Sequence, residues 1–343
     1  MSRYKDTIVL VMCADDAYAI PSAVSLYSAL ENISSEYYIK IFYLSIDVSD
    51  DSKRRTINII NRYENARLNW LEVDSDCLSD VETRHSWLDA SAYVSLIVPR
   101  YLADRYKKAL FIDGDTLVES CLSGLWEVNP EPFAVAACRD QWIPLVSCPS
   151  GLDEYKELNI EYDTPYFNSG VLLYNLDVWR KRSISRLSCE YLYNNSKKIN
   201  LADQGVLNAT LANDWMELAP YWNVHHKIGT KEWWHSVAAW PNSEFRNNMP
   251  FNYEKLLSEP KILHFAGPAK PWIIDNYHPQ ALRWFRYFWD SGWLANDEWL
   301  HSVANFYTRY YTRALRESTR PLRHWMADSL PFSFGNMLRS YAD

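Results

Sequence analysis

The sequence predicts an α/β protein built on a mostly parallel sheet. Three observations carry that prediction: short apolar, β-branched runs recur along the chain, segments of helical periodicity separate them, and several runs stop abruptly at acidic or polar loops. With 343 residues, 48% of them hydrophobic and 23% charged, the chain has ample apolar surface to bury and lacks the composition of a disordered protein. One main domain plus an extension is the expected organisation at this length.

The elements follow in order. Residues 8–13 are apolar and β-branched and end at Ala14-Asp15-Asp16, and apolar residues at helical spacing follow over 18–30. A second strand is predicted over 39–46, a helix over 50–63 and a third strand over 67–73. A helix is expected near 92–105, followed by the strand Ala109-Leu110-Phe111-Ile112, which Asp113-Gly114-Asp115 closes. Residues 133–137, 170–174 and 261–265 give three further short strands. Beyond about residue 275 the chain becomes rich in Trp, Tyr and Arg, with helical spacing over 279–289 and 296–316, so residues 1–274 are read as the main domain and 275–343 as a helical C-terminal extension. In such sheets ligands bind outside the carboxyl ends of the strands, where both acidic clusters fall.

Composition narrows the function. Thirty-five Lys and Arg against 43 Asp and Glu give a net charge of -8, which excludes a broad basic surface for nucleic acid, so any phosphate must be bound locally. An aromatic content of 15% suits stacking on sugars, and equally a large core. The six cysteines form no CxxC pair, and reduced thiols are expected. The N-terminal residues lack a signal-peptide pattern and no stretch approaches the length of a membrane span, so the expected location is cytoplasmic. Arg309, Arg313, Arg316, Arg320 and Arg323 lie among aromatics in the extension, a pattern fitting either peripheral contact with an anionic membrane or the solvated face of an ordinary helix.

Chemistry concentrates at four places. Asp113 and Asp115, one residue apart at a strand end, can share a hard divalent cation, although an acidic turn is often only a solvated loop. His264 follows an apolar run and precedes Phe265-Ala266-Gly267-Pro268-Ala269-Lys270-Pro271-Trp272. Its imidazole can complete the coordination of Mn²⁺, while Gly267 permits close backbone approach to a phosphate and Lys270 brings a point charge. Asn168 and Ser169 precede an apolar strand, where an amide can bind a sugar hydroxyl or form a simple turn. Asp203 and Gln204 offer hydrogen bonds to sugar hydroxyls, with a helix N-cap at Asp203 as the plainer alternative.

In this order, Cys13-Ala14-Asp15-Asp16-Ala17-Tyr18, Leu110-Phe111-Ile112-Asp113-Gly114-Asp115, Tyr166-Phe167-Asn168-Ser169-Gly170-Val171, Leu201-Ala202-Asp203-Gln204 and His264 to Trp272 resemble the family 8 retaining glycosyltransferases, the group of glycogenin and the bacterial lipo-oligosaccharide galactosyltransferases. The likeness spans roughly residues 7–273. It implies a GT-A type nucleotide-sugar-binding domain using Mn²⁺, or Mg²⁺, and a UDP-hexose donor. Asp113, Asp115 and His264 would be the metal ligands. Asp15 and the backbone at Cys13 and Ala14 would hold uracil and ribose, and Gly267 and Lys270 the diphosphate. Asn168, Ser169, Asp203 and Gln204 would surround the transferred sugar, with Gln204 and Asp203 the catalytic pair and Gln204 stabilising an oxocarbenium-like sugar from the face opposite the leaving group. Asp140 falls where bacterial relatives place an acceptor-cleft residue, and the extension lies where theirs meets the membrane bearing a lipid-linked acceptor.

Two positions depart from the family pattern. Ser95 stands where members commonly carry Arg or Lys, which removes a donor-site cation unless Arg100 reaches in, and Ala17 stands where close bacterial relatives often have Asn. The resulting reading is transfer of galactose or glucose from a UDP-sugar to a glycan acceptor, a bacterial surface glycolipid or oligosaccharide. Three other readings stand beside it: a non-catalytic binding protein of the same fold, a membrane adaptor built on the basic tail, and an aspartyl-phosphate phosphatase. The last is prompted by Phe111-Ile112-Asp113-Gly114-Asp115, which also resembles the opening motif of haloacid-dehalogenase-like phosphatases.

Overall fold

The apolar run at the start of the chain forms β1 (Asp6–Asp15), in which Ile8 to Met12 are all buried. Consecutive burial of this kind marks a central strand covered on both faces. The structure is a computed structural model and describes residues 3–73, 90–243, 246, 249, 251–273, 278, 280–295, 298 and 301–306. On one side of β1 lies β2 (Tyr37–Ile46), parallel to it along its whole length, and beyond that β3 (Ala66–Glu72), also parallel. On the other side lies β4 (Lys108–Ile112), again parallel.

Past β4 a single strand runs against the others. β7 (Phe167–Asn175) runs antiparallel to β4 and to β6 (Val135–Arg139), and β8 (Trp215–Glu217) closes the sheet parallel to β6. The strand order is β3-β2-β1-β4-β7-β6-β8. A second sheet joins β5 (Thr116–Val118), β10 (Ile262–His264) and β9 (Val224–His225), with β10 in the centre, antiparallel to β5 and parallel to β9. The mostly parallel α/β sheet expected from the sequence is therefore present.

The helix Ala19–Glu31 is buried along most of its length, and its sequence explains how. Ser22, Ala23, Ser25, Ser28 and Ala29 are small enough for β5 to lie directly against it: the Ser25 and Thr116 hydroxyls are 2.7 Å apart, and Ser28 Oγ accepts the Val118 N–H at 2.8 Å. The turn before β5 is equally close, because a Cβ on Gly114 would stand 2.9 Å from Ser22 Cβ. Glycine is thus needed between Asp113 and Asp115 for packing. Helix Asp50–Ile60 starts as its sequence suggests, with the Ser49 hydroxyl accepting the Ser52 N–H and with Asp50 and Asp51 in the first turn.

Some expectations shift. The single helix predicted over 92–105 splits into the 3-10 segment Ala90–Leu96 and the helix Val98–Leu102, because Pro99 has no N–H to continue a helix and instead sits in the first turn of a new one. The strand predicted over 133–137 starts two residues later, and β7 begins before Gly170, so Asn168 and Ser169 lie within the strand. The sequence reading also passed over the helices Leu176–Arg182, Ile184–Asn195 and Lys231–Ala238.

After residue 275, the helix Ala281–Asp290 buries Leu282, Trp284, Phe285 and Phe288. It lies beside the first helix, with the Tyr27 and Tyr287 ring centroids 6.2 Å apart, while Arg55 donates to the Trp293 carbonyl and pairs with Glu298 at 3.1 Å. The basic segment 307–323 and most of the helix expected over 296–316 lie outside the described residues. Among the described residues, no helix is long and apolar enough to cross a membrane, and Cys13, Cys121, Cys138, Cys148 and Cys189 form no disulfide.

Candidate active site

The carboxyl ends of β1 and β4 lie side by side because the strands pair in parallel at Leu10 with Leu110 and Val11 with Phe111. Asp15 and Asp113 therefore belong to one edge of the sheet. Asp113 is anchored by its N–H to the Gly170 carbonyl at 2.9 Å, and the chain then turns into β5. Register does the rest: β10 places His264 opposite Thr116, and the Phe265 N–H donates to the Asp115 carbonyl at 2.9 Å.

This brings His264 Nε2 to 3.2 Å from Asp115 Oδ1 and 3.8 Å from Asp113 Oδ2. Lys270 Nζ donates to Asp115 Oδ2 at 2.5 Å and to the Phe265 carbonyl at 2.8 Å. Burial by itself would raise the Asp115 carboxyl, but Lys270 and then His264 outweigh it and hold Asp115 well below its ordinary range. Asp113 goes the other way, pushed up by burial and then by the charge of Asp115. Its side chain is 37% exposed, so solvent softens that push and a ligand can reach it. Burial disfavours charge on His264 and Lys270, yet the neighbouring carboxylates keep both raised.

Two carboxylates and an imidazole, each offering one atom within 4.8 Å of the others, are a donor set suited to Mn²⁺, and the oxygens alone would serve Mg²⁺. The space between them depends on Gly170: a Cβ there would lie 2.2 Å from His264 Cε1 and 3.0 Å from Asp113 Oδ2. The residues present thus fit the cation that the sequence implied. Gly267 has φ +82 and nothing within 4 Å of a would-be Cβ, so its backbone is open to a ligand. Tyr18 and Trp272 flank the Lys270 ammonium, each ring centroid 5.7 Å away. Cys13 is half-buried and Ala14 buried at the end of β1, while Asp15 Oδ1 accepts the Tyr18 N–H at 2.8 Å and fixes the loop to the first helix.

The other half of the site is built from amides. Asn168 Nδ2 donates to Asp140 Oδ2 at 3.0 Å and to Gln204 Oε1 at 2.9 Å, and Gln204 Nε2 donates to the same Asp140 oxygen at 3.0 Å. Asp140 Oδ1 in turn accepts the Trp142 and Ile143 N–H groups. Gln204 Oε1 also accepts the Ser169 N–H at 3.3 Å. Asp203 is no N-cap; it lies in the first turn of the helix Ala202–Thr210 and accepts from Ser169 Oγ at 3.2 Å and Ser95 Oγ at 2.5 Å. Burial pushes its carboxyl up to about 6 against the pull of those two hydroxyls. Arg100 does not supply the absent cation, since its guanidinium reaches Cys189 Sγ at 3.4 Å on the helix Ile184–Asn195.

The structure therefore gathers Asp113, Asp115, His264 and Lys270 into one group and Asp140, Asn168, Ser169, Asp203 and Gln204 into another. The sequence reading missed what joins them. Asn223 donates through Nδ2 to Asn168 Oδ1 at 2.8 Å and places its Oδ1 2.9 Å from His264 Nδ1. It stands between a short 3-10 turn and the two-residue strand β9, with no motif around it to mark it out.

Comparison with known proteins shows the family and the fold to which these residues belong. Residues 9–275 match the family described as Glycosyl transferase family 8. The chain is 30% identical to General stress protein A of Bacillus subtilis (strain 168) over 295 residues, 84% of this chain and 96% of that one. It is 21% identical to the Lipopolysaccharide 1,3-galactosyltransferase of Salmonella typhimurium (strain LT2) over 310 residues, 80% of this chain and 82% of that one. Among solved structures, the galactosyltransferase LgtC in complex with donor and acceptor sugar analogs superposes with a TM-score of 0.63 at 22% identity, covering 82% of this chain and 95% of that one, which shows a shared GT-A fold.

Proposed function

Because the chain belongs to glycosyl transferase family 8, we propose that it is a metal-dependent retaining transferase that moves galactose or glucose from a UDP-hexose to a glycan acceptor, a bacterial surface glycolipid or oligosaccharide. The observation that carries this reading is the convergence of Asp113, Asp115 and His264 within 4.8 Å at the strand edge, with Lys270 on Asp115. The phosphatase, adaptor and binding-only readings are not favoured, since the family match spans the whole site and the ligand set is intact.

In this reading Asp113, Asp115 and His264 hold Mn²⁺ or Mg²⁺. The bound cation supplies the charge that neutralises the diphosphate leaving group. Lys270 adds a positive charge, and the open backbone at Gly267 lets phosphate oxygens approach. Cys13, Ala14 and Asp15 bind the nucleoside. Ser169 and Asp203 orient the hexose, and Asn168, its amide engaged within the protein, holds Asp140 and Gln204 in place beside it. Gln204 Oε1 is held by two N–H donors, which supports a fixed dipole stabilising positive charge on the sugar rather than a freely moving nucleophile. Asp140 receives the acceptor. Residues 1–274 form the catalytic domain, and the extension 275–343 meets an anionic membrane peripherally at its cytoplasmic face through its basic, aromatic segment.

UDP release from a panel of UDP-sugars, with Mn²⁺ and with chelator, tests the reading. Mn²⁺-dependent release from one UDP-hexose is the expected result and identifies the sugar; no release from any donor together with no metal-dependent UDP binding refutes it. Gln204→Ala should slow release strongly, and near-native turnover would remove its assigned role.

A further inference from the structure

Asn168 has no spare hydrogen-bonding capacity. Its two N–H groups go to Asp140 Oδ2 and Gln204 Oε1, and its Oδ1 accepts the Gly170 N–H at 2.9 Å and Asn223 Nδ2 at 2.8 Å. One of these partners cannot exchange roles, because the Gly170 backbone N–H only donates. It fixes which end of the Asn168 amide is oxygen. That in turn fixes Asn223: turned over, it would set its own oxygen against Asn168 Oδ1 at 2.8 Å, so its Nδ2 must face Asn168 and its Oδ1 must face His264.

An amide oxygen 2.9 Å from His264 Nδ1 requires that nitrogen to carry a proton. The neutral ring then has its lone pair on Nε2, directed at Asp115 Oδ1 and Asp113 Oδ2. A lone pair facing two carboxylate oxygens is repelled by them unless a proton or a cation lies between. Asn223 is well placed to impose this state. It is 4% exposed, its carbonyl accepts Gln141 Nε2 at 3.1 Å, and Gln141 Oε1 accepts the neighbouring His225 N–H at 2.8 Å.

We infer that Asn223 is a positioning residue for the metal site: through the fixed sequence Asp140, Asn168, Asn223, His264 it selects the tautomer and ring orientation in which His264 Nε2 is a metal ligand. The inference rests on Asp113, Asp115 and His264 holding a divalent cation. Partners that orient a ligating histidine in this way typically change metal affinity by about 10–100-fold when removed.

The test uses the full chain and Mn²⁺ alone, without sugar. Binding is titrated by electron paramagnetic resonance, and pulsed measurements on the bound ion read nitrogen coupling from the imidazole. Asn223→Ala should weaken Mn²⁺ binding about tenfold or more and reduce the nitrogen coupling. Introduced into His264→Ala it should cause no further weakening, because its effect passes through that ring. Native affinity and coupling in Asn223→Ala, or equal weakening in the His264→Ala background, overturns the inference while leaving the metal site intact. Native protein that takes up no Mn²⁺ removes the metal reading and the inference together. Should Asn223→Ala not fold, Asn223→Ser replaces it: its hydroxyl is too short to reach Nδ1, so it should lose the coupling, and native coupling in it overturns the inference.

Discussion

The two halves of the cleft are built on opposite electrostatic plans. Around Asp113, Asp115, His264 and Lys270 full charges press together out of water, and burial and their mutual charges shift one another's protonation. Around Asn168, Gln204, Ser95 and Ser169 amides and hydroxyls enclose the Asp140 and Asp203 carboxylates, and nearly every donor there has its acceptor in the protein. The first half brings charges of both signs together, and the second keeps a fixed shape; in the proposed reading the difference separates a site for a cation and diphosphate from one for sugar hydroxyls.

The most damaging break lies in the charged half. Asp113→Ala should lower Mn²⁺-dependent UDP release by about 10²–10³-fold, measured with saturating donor, since it removes the proposed ligand most open to the cleft. Next comes Gly170→Ala, which would drive a methyl to 2.2 Å from His264 Cε1. Mn²⁺ affinity should fall, and thermal unfolding should show a loss of about 1–3 kcal/mol, the usual cost of overpacking.

The amide-lined half is sharpened by pH. Unfolded, an Asp carboxyl titrates near about 4, whereas in the fold Asp203 is pushed up to about 6. Between those values the folded chain holds the proton more often. The contribution of Asp203 to stability is thus complete below about 4 and is lost as pH rises toward 6. Asp203→Asn should flatten this part of the curve of melting temperature against pH and leave the protein more stable than native at pH 7. An unchanged slope would mean that burial does not hold this carboxyl above its ordinary value. The smallest effect is expected from the extension: Arg309→Glu with Arg313→Glu should weaken co-sedimentation with anionic vesicles by a few-fold and leave donor hydrolysis as it was.

Much of the fold was legible because hydrophobic runs report burial directly. The strands at 8–13, 39–46 and 109–112 were found where they lie, and Asp113-Gly114-Asp115 was visible because it ends one of them. Pairing direction has no such signature, so the reversal at β7 was not foreseen, and neither was the small sheet whose strands are two or three residues long. The roles of Asn168 and Gln204 were approached through motifs, but Asn223 could not be. Its importance arises from two contacts, to residues 55 and 41 positions away, that exist only after folding. Ser95 shows the same limit: the sequence revealed that a cation was missing and suggested Arg100, whereas the structure directs Arg100 to Cys189 and leaves Asp203 between two hydroxyls.

The small sheet has a consequence for the order in which the protein is made. Lys270 meets Asp115 across 155 positions of chain, and His264 reaches Asp113 and Asp115 only once β10 has paired with β5. A polypeptide emerging from the ribosome carries β1 to β4 and both aspartates well before Gly170, which anchors Asp113, and Phe265, which anchors Asp115, have been made. Until the last turn of this cleft is synthesised it still lacks the imidazole and the ammonium, so an unfinished chain has no complete centre with which to waste an activated sugar on water.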